Sequence, residues 1–177
     1  MPLKILLKGV VEVDETFVGG KGFRCSRMRR QTPVVALIER GGNMATRVVS
    51  NVTQHNLGKV LNECVSKDAT VQTDEHTAYR NPLKDWKKHS TVVHSRREYS
   101  RRNPDGTVSG INHCESFFSL LKRGVYGAWH HVSREHLPKY ANEFAFRWNT
   151  RGLTDGERME TAIGMVTGKR LTYRQVS

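Results

Sequence analysis

The chain has 177 residues, enough for one domain with a substantial core and short for two. Twenty-nine Lys and Arg against seventeen Asp and Glu leave a net charge of +12, which points to a polyanionic partner, nucleic acid first. Cys25, Cys64 and Cys114 stand far apart with no Cys-x-x-Cys pair, arguing against a disulfide framework or a zinc site and fitting a reducing, cytoplasmic setting. The apolar run after Met1 is too short for a signal peptide or a membrane span.

Val10 to Val18 alternates and is rich in β-branched residues, so it reads as a strand of about eight residues, released by Gly19 and Gly20. One face carries Val11, Val13, Glu15 and Phe17; the other carries Val10, Glu12, Asp14, Thr16 and Val18. An acid among valines in mid-strand is costly unless a cation lies against it, and Mg²⁺ is an obvious candidate. An edge strand whose acids face water is the plainer alternative. Residues 21–30 hold five basic side chains and no acid, a loop placed to reach phosphates. Pro33 to Glu39 is a second strand, Arg40 to Asn43 a hairpin turn and Ala45 to Ser50 a third strand, giving an antiparallel meander.

Asn51 to Thr53 offers a helix cap, and Leu57, Val60, Leu61 and Cys64 follow at helical spacing. This helix crosses over to a fourth strand, Ala69 to Asp74. The right-handed default lays that strand parallel to the first and beside it, bringing Asp74 toward Asp14. A short helix over 75–86, broken near Pro82, leads to a fifth strand, Ser90 to His94. Residues 95–106 read as a polar loop whose four arginines and Tyr99 suit phosphate contacts and base stacking. Helical patterning covers Asn112 to Gly124, Ser133 to Thr150 and Gly156 to Val166. The expected fold is therefore α/β: a ribonuclease-H-like mixed five-stranded sheet flanked by helices, one domain over 1–177.

Three acids fall at suggestive places: Asp14 in the first strand, Asp74 ending the fourth and Glu115 opening a late helix. Phosphodiester cleavage needs an activated oxygen nucleophile and a stabilised leaving oxygen, a task for divalent metals held by carboxylates. Each acid has a bland alternative: Asp14 facing solvent, Asp74 a helix cap, Glu115 completing a capping box with Asn112. Zinc binding through His130, His131 and His136 is weaker, since adjacent histidines share one ion poorly.

The stretches VDETFVGGK (13–21), TDEHTAY (73–79) and NHCESFFSLLKRG (112–124) resemble the DDE transposases of bacterial insertion sequences, and more narrowly the group with an N-terminal zinc ribbon. YGAWHHVS (126–133), EFAFRWNTR (143–151) and GKRLTY (168–173) extend the resemblance over nearly the whole chain. It implies a ribonuclease-H-like fold, Mg²⁺ or Mn²⁺, cutting and joining of DNA at element ends, and a homodimer when active. The family's metal ribbon and DNA-reading module precede the first catalytic strand, which here starts within about ten residues of Met1, so the catalytic domain alone is expected. A hydrolysis-only nuclease and a non-catalytic DNA-binding remnant are the rivals.

The resemblance leaves the third metal ligand open between Glu and Asn, and the chain offers Asn112 and Glu115. Asn112, Glu115, Ser119 and Lys122 share one helix face, opposite the apolar Cys114, Phe117, Phe118, Leu121 and Val125. A carboxylate binds Mg²⁺ better than an amide. Asp14, Asp74 and Glu115 are therefore the expected catalytic and metal-binding set, Asn112 a second contact or helix cap, and Lys122 the DNA clamp. Arg24, Arg27, Arg29, Arg30, Arg96, Arg97, Arg101, Arg102 and Arg123 complete the expected DNA contacts.

Overall fold

The alternation at the start of the chain builds β1 (Val10–Gly19), the central strand of the sheet. The computed structural model describes residues 6–19, 31–84, 86, 88–92, 100–102 and 108–166. β2 (Gln31–Glu39) pairs antiparallel with β1, placing Ala36 opposite Asp14, and β3 (Met44–Val48) pairs antiparallel with β2. The β2–β3 turn depends on Gly41, whose φ of +71° is one that side chains resist. From there α1 (Gln54–Cys64), capped by the Thr53 hydroxyl accepting from Asn56 N–H, crosses to β4 (Thr70–Thr73).

β4 runs parallel to β1 with Gln72 opposite Glu12, and β5 (Lys88–Thr91) runs parallel to β4. The resulting order, β3-β2-β1-β4-β5, is three antiparallel strands followed by two parallel ones, with helices on both faces. This is the ribonuclease-H-like sheet. Its two faces bury separate cores. Val11, Val13, Val35 and Leu37 pack with Leu57 and Leu61 of α1 and with Tyr79. On the opposite face Val34, Ala36 and Ile38 pack with α2 (Asn112–Arg123) and α3 (Leu137–Asn149) through Cys114, Phe117, Leu121 and Ala141. Asn149 pins α3 to the edge strand, accepting from Met44 N–H at 2.7 Å and donating to its carbonyl at 3.0 Å. A last helix, α4 (Asp155–Val166), buries no residue.

Four local expectations are corrected. In place of a helix over 75–86 there is a short 3₁₀ turn, Thr77–Tyr79, followed by isolated turns, Leu83 N–H to Tyr79 O and Lys84 N–H to Asn81 O; Pro82, having no N–H, cannot supply the bond that would join them into one helix. β5 starts at Lys88, set by its pairing with Thr70, whereas Val93 and His94 lie outside the described residues. Within the stretch read as a polar loop, β6 (Ser100–Arg102) pairs antiparallel with β7 (Val108–Gly110). The helix expected from Ser133 begins at Leu137: a start at Ser133 would put the Pro138 ring against a carbonyl one turn back, and the observed start leaves it in the first turn.

α2 continues into a π-helical turn, Gly124–Ala128, in which Trp129 N–H reaches Gly124 O at 3.0 Å. A Cβ at position 124 would stand 2.7 Å from the Phe144 ring, so this glycine lets α2 and α3 approach. Trp129 fills the remaining space against Tyr140 and Phe144.

Candidate active site

Asp14 projects from the middle of β1 toward the face covered by α2, two residues beyond Glu12 and two before Thr16. The β1–β4 ladder pairs Glu12 with Gln72, so two residues on, Asp14 comes level with Asp74 just past β4. Asp74 starts the following turn, its Oδ1 accepting from His76 N–H at 3.0 Å. The neighbourhood is electrostatically adverse. Burial pushes the Asp14 carboxyl up to about 7, only partly opposed by the Glu15 N–H that donates to Oδ1 at 2.8 Å. The charges of Asp74, Glu15 and Glu115 push it further the same way.

Glu115 lies in the first turn of α2 and its side chain is exposed, so the helix delivers its charge to the Asp14–Asp74 pair from above the sheet. Among the described residues, no three acidic, histidine or cysteine side chains converge on one point able to hold an ion. The three carboxylates are neighbours and do not form a closed cage. The donor set is nevertheless all oxygen, the chemistry a hard divalent cation takes, and the Asp14 pKa is raised first by burial and then by the neighbouring carboxylates.

The acid among valines needs a cation, and for Glu12 that cation is Arg40. Glu12 is fully buried, and Arg40 Nε donates to its Oε1 at 2.8 Å. His113 of α2 donates its backbone N–H to Oε2 at 2.9 Å and holds its ring Nδ1 2.9 Å from Oε1. Arg40 also donates to Gln72 Oε1 and to the Gly110 carbonyl, while Gly110 N–H donates to the same Gln72 oxygen. Glu12 and Arg40 together thus tie β1, the β2–β3 turn, β4, the β6–β7 pair and α2.

That network also corrects the capping role expected of Asn112. Asn112 is the first residue inside α2, and Ile111 before it makes no side-chain cap. Glu12, distant in sequence, satisfies the helix N-terminus instead. Asn112 is exposed at the helix start, on the Glu115 side. Composition and alternation alone do not single out Glu12; the only signal was its place two residues before Asp14 on the same strand face.

On the other face of β1, Glu15 is nearly buried and accepts a hydrogen bond from the hydroxyl of Tyr79, with His76 Nδ1 4.0 Å away. Burial raises both the Glu15 carboxyl and, well above its usual value, the Tyr79 hydroxyl. Lys122 and Arg123 close α2, where positive charge suits the helix dipole. Lys122 returns to the Glu115 face about 10.5 Å along the axis. Arg24, Arg27, Arg29, Arg30, Arg96 and Arg97 lie outside the described residues, and Arg101 and Arg102 are described in backbone alone, on β6.

Residues 6–149 match the ISXO2-like transposase domain. The chain belongs to that transposase family. The match contains Asp14, Asp74 and Glu115, along with every member of the Glu12 network. No curated protein sequence matches the chain. Among solved structures it is similar to the HTLV-2 integrase catalytic core domain in complex with magnesium, in its dimeric form. That similarity has a TM-score of 0.49 at 11% identity, over 89% of this chain and 97% of the other. A likeness that distant carries no argument about residues or chemistry. Among the described residues of this transposase domain, no helix is long and apolar enough to cross a membrane.

Proposed function

We propose that this ISXO2-like transposase domain is a polynucleotidyl transferase that cleaves DNA at the ends of an insertion sequence and joins the freed 3′-hydroxyl to target DNA. The observation that carries the proposal is the nearness of Asp14 and Asp74, two residues past the last β1–β4 pair, Glu12 with Gln72, with Asp14 pushed up to about 7 by burial first and then by surrounding carboxylates. Such a site gains from a cation. Asp14, Asp74 and Glu115 are assigned as the residues that would hold Mg²⁺ or Mn²⁺. When bound, that ion would activate the attacking oxygen and offset charge on the leaving one.

The chain's own contribution is positioning and charge. Glu12 holds the start of α2, and with it Glu115, against the strand that carries Asp14. Lys122 and Arg123 offer cations to phosphates along the same helix, and the net charge of +12 supports a DNA partner. The motif resemblance over nearly the whole chain supports placement in the zinc-ribbon-bearing group, and the active form in this reading is a homodimer. Buried free thiols at Cys64 and Cys114 are compatible with a cytoplasmic site of action.

The test is cleavage and strand transfer by the full chain with labelled terminal-repeat duplex, Mg²⁺ and a target plasmid. Asp14→Asn and Asp74→Asn should each lose both products while binding DNA at least as well as the parent. Full cleavage by either variant refutes the assignment. Cleavage without joined product would instead identify a hydrolytic nuclease, and binding without cleavage by the parent would identify a DNA-binding remnant.

A further inference from the structure

We propose that the pocket at the far end of β1 receives a nucleobase drawn out of the DNA end, a specificity site that rests on the proposed transposase reading. The pocket has a volume of about 280 Å³, small for a ligand site but ample for one base. It lies between the end of β1, the π-helical turn after α2 and the segment leading into α3.

Its chemistry is that of a base with a backbone phosphate. Val125 and Val132 give it an apolar wall, while Tyr126, His130, His131 and Arg134 bring an aromatic ring, two imidazoles and a guanidinium; among the described residues no carboxylate lines it. A base presents a π-face that wants an aromatic or apolar surface and an edge that wants hydrogen-bond partners, and its phosphate wants a cation. Tyr126 is an exposed aromatic whose hydroxyl is already engaged, accepting from Gly19 N–H at 3.1 Å. That bond anchors the phenol tip to the strand end and leaves the ring face to stack. His130 is the sole non-glycine among the described residues with positive φ, at +57°. Strain of that kind collects where surrounding structure holds a side chain in a set direction.

Placement relates the pocket to the chemistry. Val18, in its lining, is on the same strand and the same face as Asp14, four residues on, or about 13 Å along β1. That distance is about four stacked nucleotides, so the base received would lie within a few positions of the scissile phosphate. A pocket on the same strand as Asp14 would let sequence at the element tip be read by extrusion, without a helix in the major groove.

The experiment uses the full chain and duplexes with a short single-stranded 3′ tail, carrying 2-aminopurine at one position at a time. Fluorescence should rise sharply at one or two positions near the tail junction and stay quenched elsewhere. Tyr126→Ala should remove that rise and weaken tailed-duplex binding about tenfold. Tyr126→Phe, which keeps the ring, should retain most of the rise. An abasic residue at the responsive position should bind parent and Tyr126→Ala alike. Uniform quenching with the parent chain, or a rise unchanged in a folded Tyr126→Ala, overturns the pocket. Because the fluorescence is read without Mg²⁺, the two proposals fail separately. Asp14-dependent cleavage with uniform quenching removes the pocket alone, and a localised rise with cleavage indifferent to Asp14→Asn removes the catalytic assignment alone.

Discussion

Replacing Asp14 with asparagine should stabilise the metal-free chain at neutral and alkaline pH, even as it abolishes the proposed activity. In the folded chain the Asp14 carboxyl is pushed from 3.8 up to about 7, first by burial and then by the charges of Asp74, Glu15 and Glu115. The folded state therefore keeps this proton to higher pH than the unfolded chain does. Stability is fully present below the unfolded pKa, falls as pH rises from about 4 to 7, and is level above that. A tenfold change in proton affinity corresponds to about 1.4 kcal/mol, so the whole displacement is worth at most about 4 kcal/mol, and about 2–4 kcal/mol after partial solvent screening. Asparagine keeps the shape and carries no charge to bury. Asp14→Asn should then exceed the parent by about 2–4 kcal/mol at pH 8 and match it near pH 4. For a chain of this length that is about 4–16 °C in Tm. The assay is thermal unfolding followed by tryptophan fluorescence from pH 4 to 8, with and without Mg²⁺. Taking the difference between parent and variant cancels the other titrating groups. Mg²⁺ should raise the parent Tm at pH 8 and leave the variant unmoved, because the cation relieves a repulsion the variant lacks. A variant no more stable than the parent at pH 8, or a difference that does not depend on pH, refutes the reasoning.

Glu12→Ala should cost about 3–5 kcal/mol by urea unfolding, since it strips Arg40 and the start of α2 of a fully buried partner; a loss under about 1 kcal/mol would dissolve the network's claim to importance. Gly124→Ala should lose about 1–3 kcal/mol, because its new Cβ meets the Phe144 ring at 2.7 Å, and pairing it with Phe144→Leu should recover part of that loss. Tyr79→Phe should cost about 1.5–3 kcal/mol at pH 8, where Glu15 would lose the hydroxyl that hydrogen-bonds it; an unchanged urea midpoint would show that bond to be dispensable. Binding to random duplex should weaken by about a thousandfold or more between roughly 50 and 200 mM salt if six or more phosphates are contacted, and a shallow salt slope in a fluorescence-anisotropy titration would remove the basic surface from the binding account.

Local pattern determined much of this protein. Alternation over Val10 to Val18 marked the central strand, apolar spacing marked the Cys114–Phe117–Phe118–Leu121 stripe of α2, and the right-handedness of crossovers set β4 beside β1. Those signals placed Asp74 at the end of the strand beside Asp14, while the register that sets Glu12 opposite Gln72 came from the structure. Tertiary structure decided what stands against each buried face. Periodicity says that Glu12 points inward; it does not say that Arg40, 28 residues away, and His113, 101 residues away, will meet it there. The same holds for Tyr79 on Glu15 and Asn149 on the Met44 backbone. Boundaries were lost where a steric or pairing constraint outranked apolar spacing, as when Pro138 moved the start of α3 to Leu137 and ladder pairing drew Ser100–Arg102 out of an apparently polar loop. Faces are written locally, because side-chain direction repeats every two residues in a strand and every 3.6 in a helix. Partners are not, because a buried charge is satisfied by whichever group the completed fold carries to it.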